Sequence, residues 1–500
     1  MTNNSGVFEL IVSNVDNDIL KSIIKNHYVD DQWNTIKDLR GIKHNKHLSV
    51  YDRLVSKSFL ARSLSLESSY RESEEIFLSC ITMLPDELET IHEKALAAFL
   101  FHNYAIFLGY VGRKDYIEYT EYIDKAQKLY KNLKLDTDSI MLKVQQQDVE
   151  LLYLDDIDMT AFIGDCKNLF SECGVKKIYD NGLFLRIGVA SLFKYIRSSN
   201  NKYFKESLEA FSLIIKLGDE EPDYRKYWSR CGLAILKSLN NNVEFDFSSF
   251  KHNPDRHLSK AKGFPHILFM IARAERLIGE EKIVNKLLLD TERKINQLLL
   301  EFEDDENYQH FILSNYGLVI EEWIDCIFNQ NISEKDKFYK IVHCSEVLQN
   351  RLMDNNLFLK NINPDDLLFN AKDLVRNLYK NNNFNNLIYI TIEVPSIDGN
   401  MVQYFCTIEN YKKNIFKISR IDVNQIKKLK LQFSKVFKTN DKNKQDMFLD
   451  SYGDIFLKEL SNIENSKCLV IPNGFFSYLP INMGRYNGKY FYQLNGFEYI

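Results

Sequence analysis

A cysteine beside a histidine is the smallest sequence feature that could do covalent chemistry, and this 500-residue chain has one such pair, His343-Cys344. A thiolate is a strong nucleophile and an imidazole can take its proton, so the residue types suit acyl transfer. Their spacing does not. Neighbours on a helix point about 100° apart, and the pair reads as coincidental. The other cysteines stand alone at 80, 166, 173, 231, 326, 406 and 468, with no C-x-x-C motif. In a chain this large that pattern indicates reduced, packed thiols. Cys166 and Cys173 are seven apart without a nearby histidine, so no metal site is expected. Neither kind of Gly-rich phosphate loop occurs, which argues against nucleotide hydrolysis and leaves no cofactor motif.

A second kind of chemistry is electrostatic. The segment "KDLRGIKHNKH" (37–47) collects Lys37, Arg40, Lys43, His44, Lys46 and His47 around Gly41, with Trp33 and Tyr51 close by in sequence. Lys37, Arg40, Lys43 and Lys46 are the candidate contacts to RNA phosphate or to an acidic partner surface. The plainer alternative is a solvated loop between helices. A further basic run, "KKLKLQFSKVFKTNDKNK" (427–444), reads as an amphipathic helix with a polar tail and is a weaker candidate for the same role.

Composition and period define the elements that must position these residues. A length of 500 residues exceeds one core, so two or more domains are expected. Only 8 Pro and 19 Gly indicate long helices with short connections. A net charge of −5 is near neutral at this length, which argues against a general nucleic-acid coat but permits a local basic site. No run reaches the ~18 apolar residues a membrane span needs. Residues 1–18 show no signal-peptide pattern, so a soluble, cytoplasmic protein without a membrane partner is expected.

Self-similarity is visible in the first three-quarters of the chain. In "YRESEEIFLSCITMLP" (70–85), Ser73 is followed four residues later by Phe77, then by Cys80, then by Pro85. This is the spacing of the second helix of a tetratricopeptide repeat, a helical hairpin of about 34 residues. "LVSKSFLARSL" (54–64) supplies the first helix, with Ala61 as the small residue that lets the two approach. Ser207, Phe211 and Ile214 repeat the offsets in "YFKESLEAFSLIIKLGDEEP" (203–222), with Pro222 slightly late. A looser copy runs over 102–130, where Leu108-Gly109 ends one helical segment and Ala126 and Tyr130 recur in the next. A tetratricopeptide-like α-helical solenoid is therefore expected over 1–380.

The period changes after the Asn-rich "YKNNNFNN" (379–386). "LIYITIEV" (387–394), "MVQYFCTIE" (401–409) and "NIFKISRID" (414–422) read as strands, with a hairpin turn at Asp398-Gly399-Asn400. Helical patterns at 423–437 and 446–463 flank the polar "TNDKNKQD". The apolar strand "CLVI" (468–471) follows, then a turn at Pro472-Asn473-Gly474 and a last strand within 489–500. The whole is a mainly α protein ending in an α/β segment.

That final segment resembles the early part of the CHAT domain, the caspase-like peptidase module often fused behind tetratricopeptide repeats. The matching residues are Val470-Ile471-Pro472, Gly474, Leu479-Pro480 and Gly488-Lys489-Tyr490, with Asn473 where the family usually has Asp. Both residues suit a turn. The resemblance covers roughly 387–500 and implies the first part of a caspase-like α/β domain. It also implies a catalytic His and Cys downstream of this motif, each at the end of a later parallel strand. Residues 1–500 do not supply that dyad: the last histidine is His343, and Cys406 and Cys468 lie on apolar strands. No catalytic residue is therefore assigned, and a chain ending at "FEYI" reads as a piece of a longer protease.

The resemblance implies a solenoid that senses a protein partner and controls a caspase-like cysteine endopeptidase acting on a protein substrate. One known context is the type III-E CRISPR system, where a protease of this architecture binds an RNA-guided ribonuclease carrying its guide RNA. That context, in bacterial defence, is the preferred expectation. The alternatives are a non-catalytic repeat scaffold with a degenerate or truncated CHAT domain, and a nucleic-acid-binding module using the basic 37–47 segment.

Overall fold

Ala61 and Ser73 meet as their spacing predicts: the Ser73 hydroxyl donates to the Ala61 carbonyl at 2.8 Å, and both residues are fully buried. They join α4 (Val50–Leu66) to α5 (Tyr70–Met83) in the computed structural model. The structure describes residues 6–27, 32–42, 48–66, 69–153, 158–173, 177–217, 223–240, 243, 245–246, 261, 264–301, 306–348, 371–382, 384–397, 401–422, 431–432, 435–436, 438, 441–457, 468–471, 485–486, 489–490 and 497–499. Among these residues it is mainly helical, with 18 helices and a small mixed sheet.

The chain divides into two compact units, 1–271 with 294–315, and 272–293 with 316–500. The first contains α1 (Val7–Ser13), α2 (Asp18–His27), α3 (Gln32–Ile42), α4, α5, α6 (Ile91–Tyr110), α7 (Ile117–Asn132) and α8 (Asp136–Leu151). It continues with α9 (Met159–Cys173), α10 (Lys177–Ser198), α11 (Asn201–Lys216) and α12 (Asp223–Leu239). Three further helices each contribute to both units: α13 (Pro265–Leu277), α14 (Glu281–Glu301) and α15 (Glu306–Asn329).

Helices α4 to α12 pack on their sequence neighbours, and α4, α6, α8, α10 and α12 also touch in succession. That is the contact pattern of stacked helical hairpins, in which each apolar face is covered by the next pair. The Ser73 seam recurs 134 residues later, where the Ser207 hydroxyl donates to the Gly188 carbonyl at 2.8 Å. Phe211 follows at the predicted offset and is wedged between α10 and α12, where a Cβ at either Gly188 or Gly232 would collide with its ring. Gly109 serves the same end. It lies in the last turn of α6 and brings that helix against Val149 of α8. Ends are capped locally: Thr90 and Glu93 form a reciprocal box at α6, and the Asn200 side chain accepts from Lys202 N at α11. Ala61→Leu is expected to overpack the α4–α5 seam and lower stability by about 1–3 kcal/mol. An unfolding curve superimposable on that of the parent would contradict the seam.

The second unit adds α16 (Glu334–Leu348), α17 (Ala371–Asn382) and α18 (Lys442–Leu457) to the sheet. Its strands are β1 (Asn386–Ile390), β2 (Val394–Pro395), β3 (Met401–Asn410), β4 (Ile415–Asp422), β5 (Cys468–Ile471) and β8 (Phe497–Tyr499). Because β4 pairs along nearly the whole of β3, β1 and β2 share the other edge of that strand. Beyond β1 the pairing turns parallel, with Ile388 opposite Val470 and Val470 opposite Tyr499. Strands β1 and β5 are buried along their whole length, which is why they read as unbroken apolar runs. The last strand predicted within 489–500 is two elements: β7 (Lys489–Tyr490) pairs with β6 (Arg485–Tyr486), and β8 joins the main sheet.

Two linkers read from polarity are packed structure instead. The "YKNNNFNN" stretch completes α17 and starts β1; Tyr379 stacks on Tyr411 at 4.1 Å, and Phe384 is fully buried. Helices before it also pack on the sheet, with Phe328 against Tyr404, Phe338 against Phe416, and the Tyr389 hydroxyl donating to Glu346 at 2.6 Å. The change of period at 380–386 is therefore not where the compact units divide. Likewise α18 begins inside "TNDKNKQD", where Asp441 accepts from Lys444 N and starts the helix. The turns at 398–400 and 472–474 lie outside the described residues, as does most of the 423–437 helix. Among the described residues no helix is long and apolar enough to cross a membrane.

Candidate functional site

Cysteine chemistry depends on thiolate, and the fold withholds it. Cys80, Cys166, Cys231, Cys326, Cys344, Cys406 and Cys468 are free and buried. Burial pushes the Cys80 thiol up to about 11 and those of Cys166 and Cys468 up to about 12. Cys406, fully buried on β3, is raised further. At Cys166 burial outweighs the nearby Arg186 charge, which pulls the other way. His343 and Cys344 both lie buried on α16, the helix packed against β3 and β4. None of these thiols is poised as a nucleophile. Iodoacetamide at pH 8 is accordingly expected to leave these seven thiols unlabelled in the native chain and to modify them in urea; mass spectrometry reads the difference. Native alkylation at Cys406 or Cys468 would contradict the burial. Among the described residues no group of three His, Cys, Asp or Glu side chains is placed to hold a metal.

The basic segment is divided by the structure. Lys37 and Arg40 lie on α3, exposed, and the Arg40 guanidinium pairs with Glu72 of α5. That pair sits in solvent, where it is worth little and neutralises part of the patch. Lys43 and Lys46 lie outside the described residues. Sequence reasoning did not register Glu72, because it is 32 residues away from Arg40 along the chain.

The first unit also presents grooves between successive helices. One of about 470 Å³ runs between α9, α10 and α11, with Phe184, Ile187 and Leu213 as its apolar wall. Lys167 and Glu206 pair across it at 3.4 Å. A second, of about 550 Å³ between α8 and α9, carries Glu150, Asp158, Asp165 and Glu172. Two of those acids are already paired, Glu150 with Lys114 at 3.0 Å and Glu172 with Lys143 at 2.8 Å. Such shallow, mixed surfaces suit contact with another chain better than enclosure of a small substrate.

No protein-family model matches the chain. No curated protein matches it either. The fold and the grooves define a mainly helical protein with stacked hairpins and a small mixed sheet.

Proposed function

We propose that this protein is a partner-binding helical-repeat protein whose sheet belongs to a caspase-like CHAT peptidase module, acting in the cytoplasm. The observation that carries the partner-binding half is the repeated seam, Ser73 on Ala61 and Ser207 on Gly188, within helices that stack in succession. Stacked hairpins expose long surfaces for a protein partner. The peptidase half draws support from the parallel run β1–β5–β8, the arrangement a caspase-like sheet requires, and from the motif residues around Pro472 and Leu479. In the preferred form of this reading the partner is an RNA-guided ribonuclease with its guide RNA, in bacterial defence, and the substrate is a protein. The alternative reading is a scaffold that binds protein without cleaving it.

The test is purification of the tagged chain from its own host. A stoichiometric protein partner is expected, with RNA in the complex under the preferred form. A monomer with no partner would overturn the proposal. Charge-neutralising Arg40, Lys43 and Lys46 together is expected to weaken the complex most at low ionic strength. Each lost phosphate contact lowers the salt slope by roughly one unit. An unchanged affinity and salt slope would return the segment to a solvated loop.

A further inference from the structure

Three segments of the second unit meet at one surface: α16, α17 and the turn between β3 and β4. Helix α16 packs on β4 and on α17. Just past the turn, Phe416 lies against Phe338 at 5.3 Å and Tyr339 at 5.6 Å. Just before it, Tyr411 stacks on Tyr379 of α17 at 4.1 Å. The turn is tight: Asn414 N donates to the Tyr411 carbonyl at 3.3 Å, and Asn414 adopts the left-handed region at φ 54°. Lys412 and Lys413 therefore occupy its tip. Tyr339, Tyr379, Tyr411 and Phe416 are all half-buried, so four rings reach this surface.

The charge there is opposite in sign to that of the chain. Residues 334–340, 371–382 and 409–417 hold nine Lys and Arg against four Asp and Glu, in a chain of net charge −5. Lys335, Lys340, Lys380 and Lys412 are exposed, and none has a carboxylate partner among the described residues. Lys372, Arg376 and Lys380 recur every four residues along one side of α17. The Arg376 charge is felt at Tyr339, which sets that stripe beside the rings. Lys335 Nζ stands 5.7 Å over the Phe416 ring and Lys372 Nζ 5.8 Å over the Tyr339 ring. Both lysines are exposed, so the ring faces beneath them are outer faces. Such exposed contacts between ammonium and ring are weak, and a flexible lysine stem yields the face to a better partner.

We propose that this surface binds single-stranded nucleic acid, its ammoniums holding phosphates while bases stack on Tyr339 and Phe416. A single strand offers both the charge and the flat apolar faces that this pattern matches. A duplex conceals its bases, and an acidic protein surface has no use for the rings. Recognition of this kind tolerates any sequence, because every base has a π-face. The site lies on the second unit, so it is independent of the partner-binding reading and of the basic segment at 37–47, which belong to the first.

The probes are labelled single strands of roughly 15 nucleotides and mixed sequence, RNA and DNA, with the duplex of each, titrated with the full chain from about 50 to 200 mM salt. Single strands of RNA, DNA or both are expected to bind, more weakly as salt rises, and at least about tenfold more tightly than the duplexes. Lys335→Gln, Lys380→Gln and Lys412→Gln together are expected to lower the salt slope by about two units, at roughly 0.7 for each phosphate contact on a single strand. The same change at Lys128, Lys131 and Lys205, exposed lysines of the first unit, is expected to leave it unmoved. Tyr339→Leu is expected to weaken binding roughly fivefold or more, and Tyr339→Phe, which keeps the ring, to bind as the parent does. Should Tyr339→Leu fail to fold, the two lysine triples still decide. No binding of any strand at about 50 mM salt, duplexes bound as tightly, or equal losses in the two triples would overturn the site. A folded Tyr339→Leu chain that binds like the parent would do the same. Polyglutamate of equal charge that displaces the label as well as unlabelled strand does would overturn it in favour of an acidic protein partner.

Discussion

Glu322→Ala is expected to cost about 3–5 kcal/mol, the range for breaking a buried ion pair by removing one partner. Glu322 is wholly buried on α15 and receives three guanidinium contacts: Arg273 Nε at 2.8 Å, Arg273 Nη2 at 2.6 Å and Arg276 Nη1 at 2.8 Å. Arg276 goes on to pair with Asp325, which also accepts from the Tyr404 hydroxyl and from Ile397 N at 3.2 Å. Burial works against the charge on Arg276, but Glu322 and Asp325 outweigh it and keep the guanidinium protonated. Without Glu322, Arg273 and Arg276 lose the buried carboxylate they share. Because Asp325 holds both β3 and the backbone at 397, the damage should spread to the sheet. Hydrogen exchange across 396–408 is expected to accelerate along with the loss in urea stability. Arg273→Met with Glu322→Met, which removes the charges as a pair, is expected to recover much of the loss. A single variant as stable as the parent would show that the pair contributes nothing.

Stability should fall steeply as pH drops below about 6.5, because two histidines are buried in neutral form. Burial lowers His102 from 6.5 to about 4 and His266 to about 3. His102 is enclosed between the Tyr130 hydroxyl, 2.8 Å from Nδ1, and Gln145 Oε1, 2.8 Å from Nε2, away from water that would solvate its charged form. His266 lies edge-on to Phe193 at 4.9 Å, with the Arg197 charge nearby. The sign follows from linkage. Below 6.5 the unfolded chain takes up protons that the native state refuses, so stability is full above about pH 7. The His102 share is lost as pH falls toward about 4, and the His266 share toward about 3. Each loss is on the order of 3 kcal/mol or more, large beside a total of roughly 5–15 kcal/mol. Urea unfolding between pH 7.5 and 4.5 checks it, and His102→Gln should flatten part of the slope. A midpoint that does not move over that range would show that neither histidine is buried as described.

The helical hairpin at 50–83 was legible because its determinants are local. Ser73, Phe77 and Cys80 fall on one helix face, and Ala61 is the small residue close behind them in sequence. Ser207 and Phe211 repeat the offsets, although the glycines that receive them, Gly188 and Gly232, were not identified from spacing. The strands β1, β3, β4 and β5 were legible from apolar and β-branched runs, and the buried thiols from their isolation along the chain. Polarity misled at 379–386 and 439–446: a stretch of Asn and Lys looks like a linker until Tyr379 and Phe384 find aromatic partners, or Asp441 finds a helix to cap.

What the amino-acid order determined by itself was the kind of element, because helix and strand periods are short-range properties. Which charges meet was decided only by tertiary structure. Arg40 and Glu72 are 32 residues apart, Arg276 and Asp325 49, and Asp325 and Tyr404 79, and no period relates them. Arg186 stands in the sequence as a lone cation in an apolar helix, "LFLRIGVASLF" (183–193). It becomes part of a cleft only when α8 brings Asp148 and α12 brings Arg225 and Trp228 beside Gly182. Burial, which sets the protonation of His102 and of the Cys80, Cys166, Cys406 and Cys468 thiols, is a property of the packed chain, since desolvation depends on neighbours that arrive from distant positions.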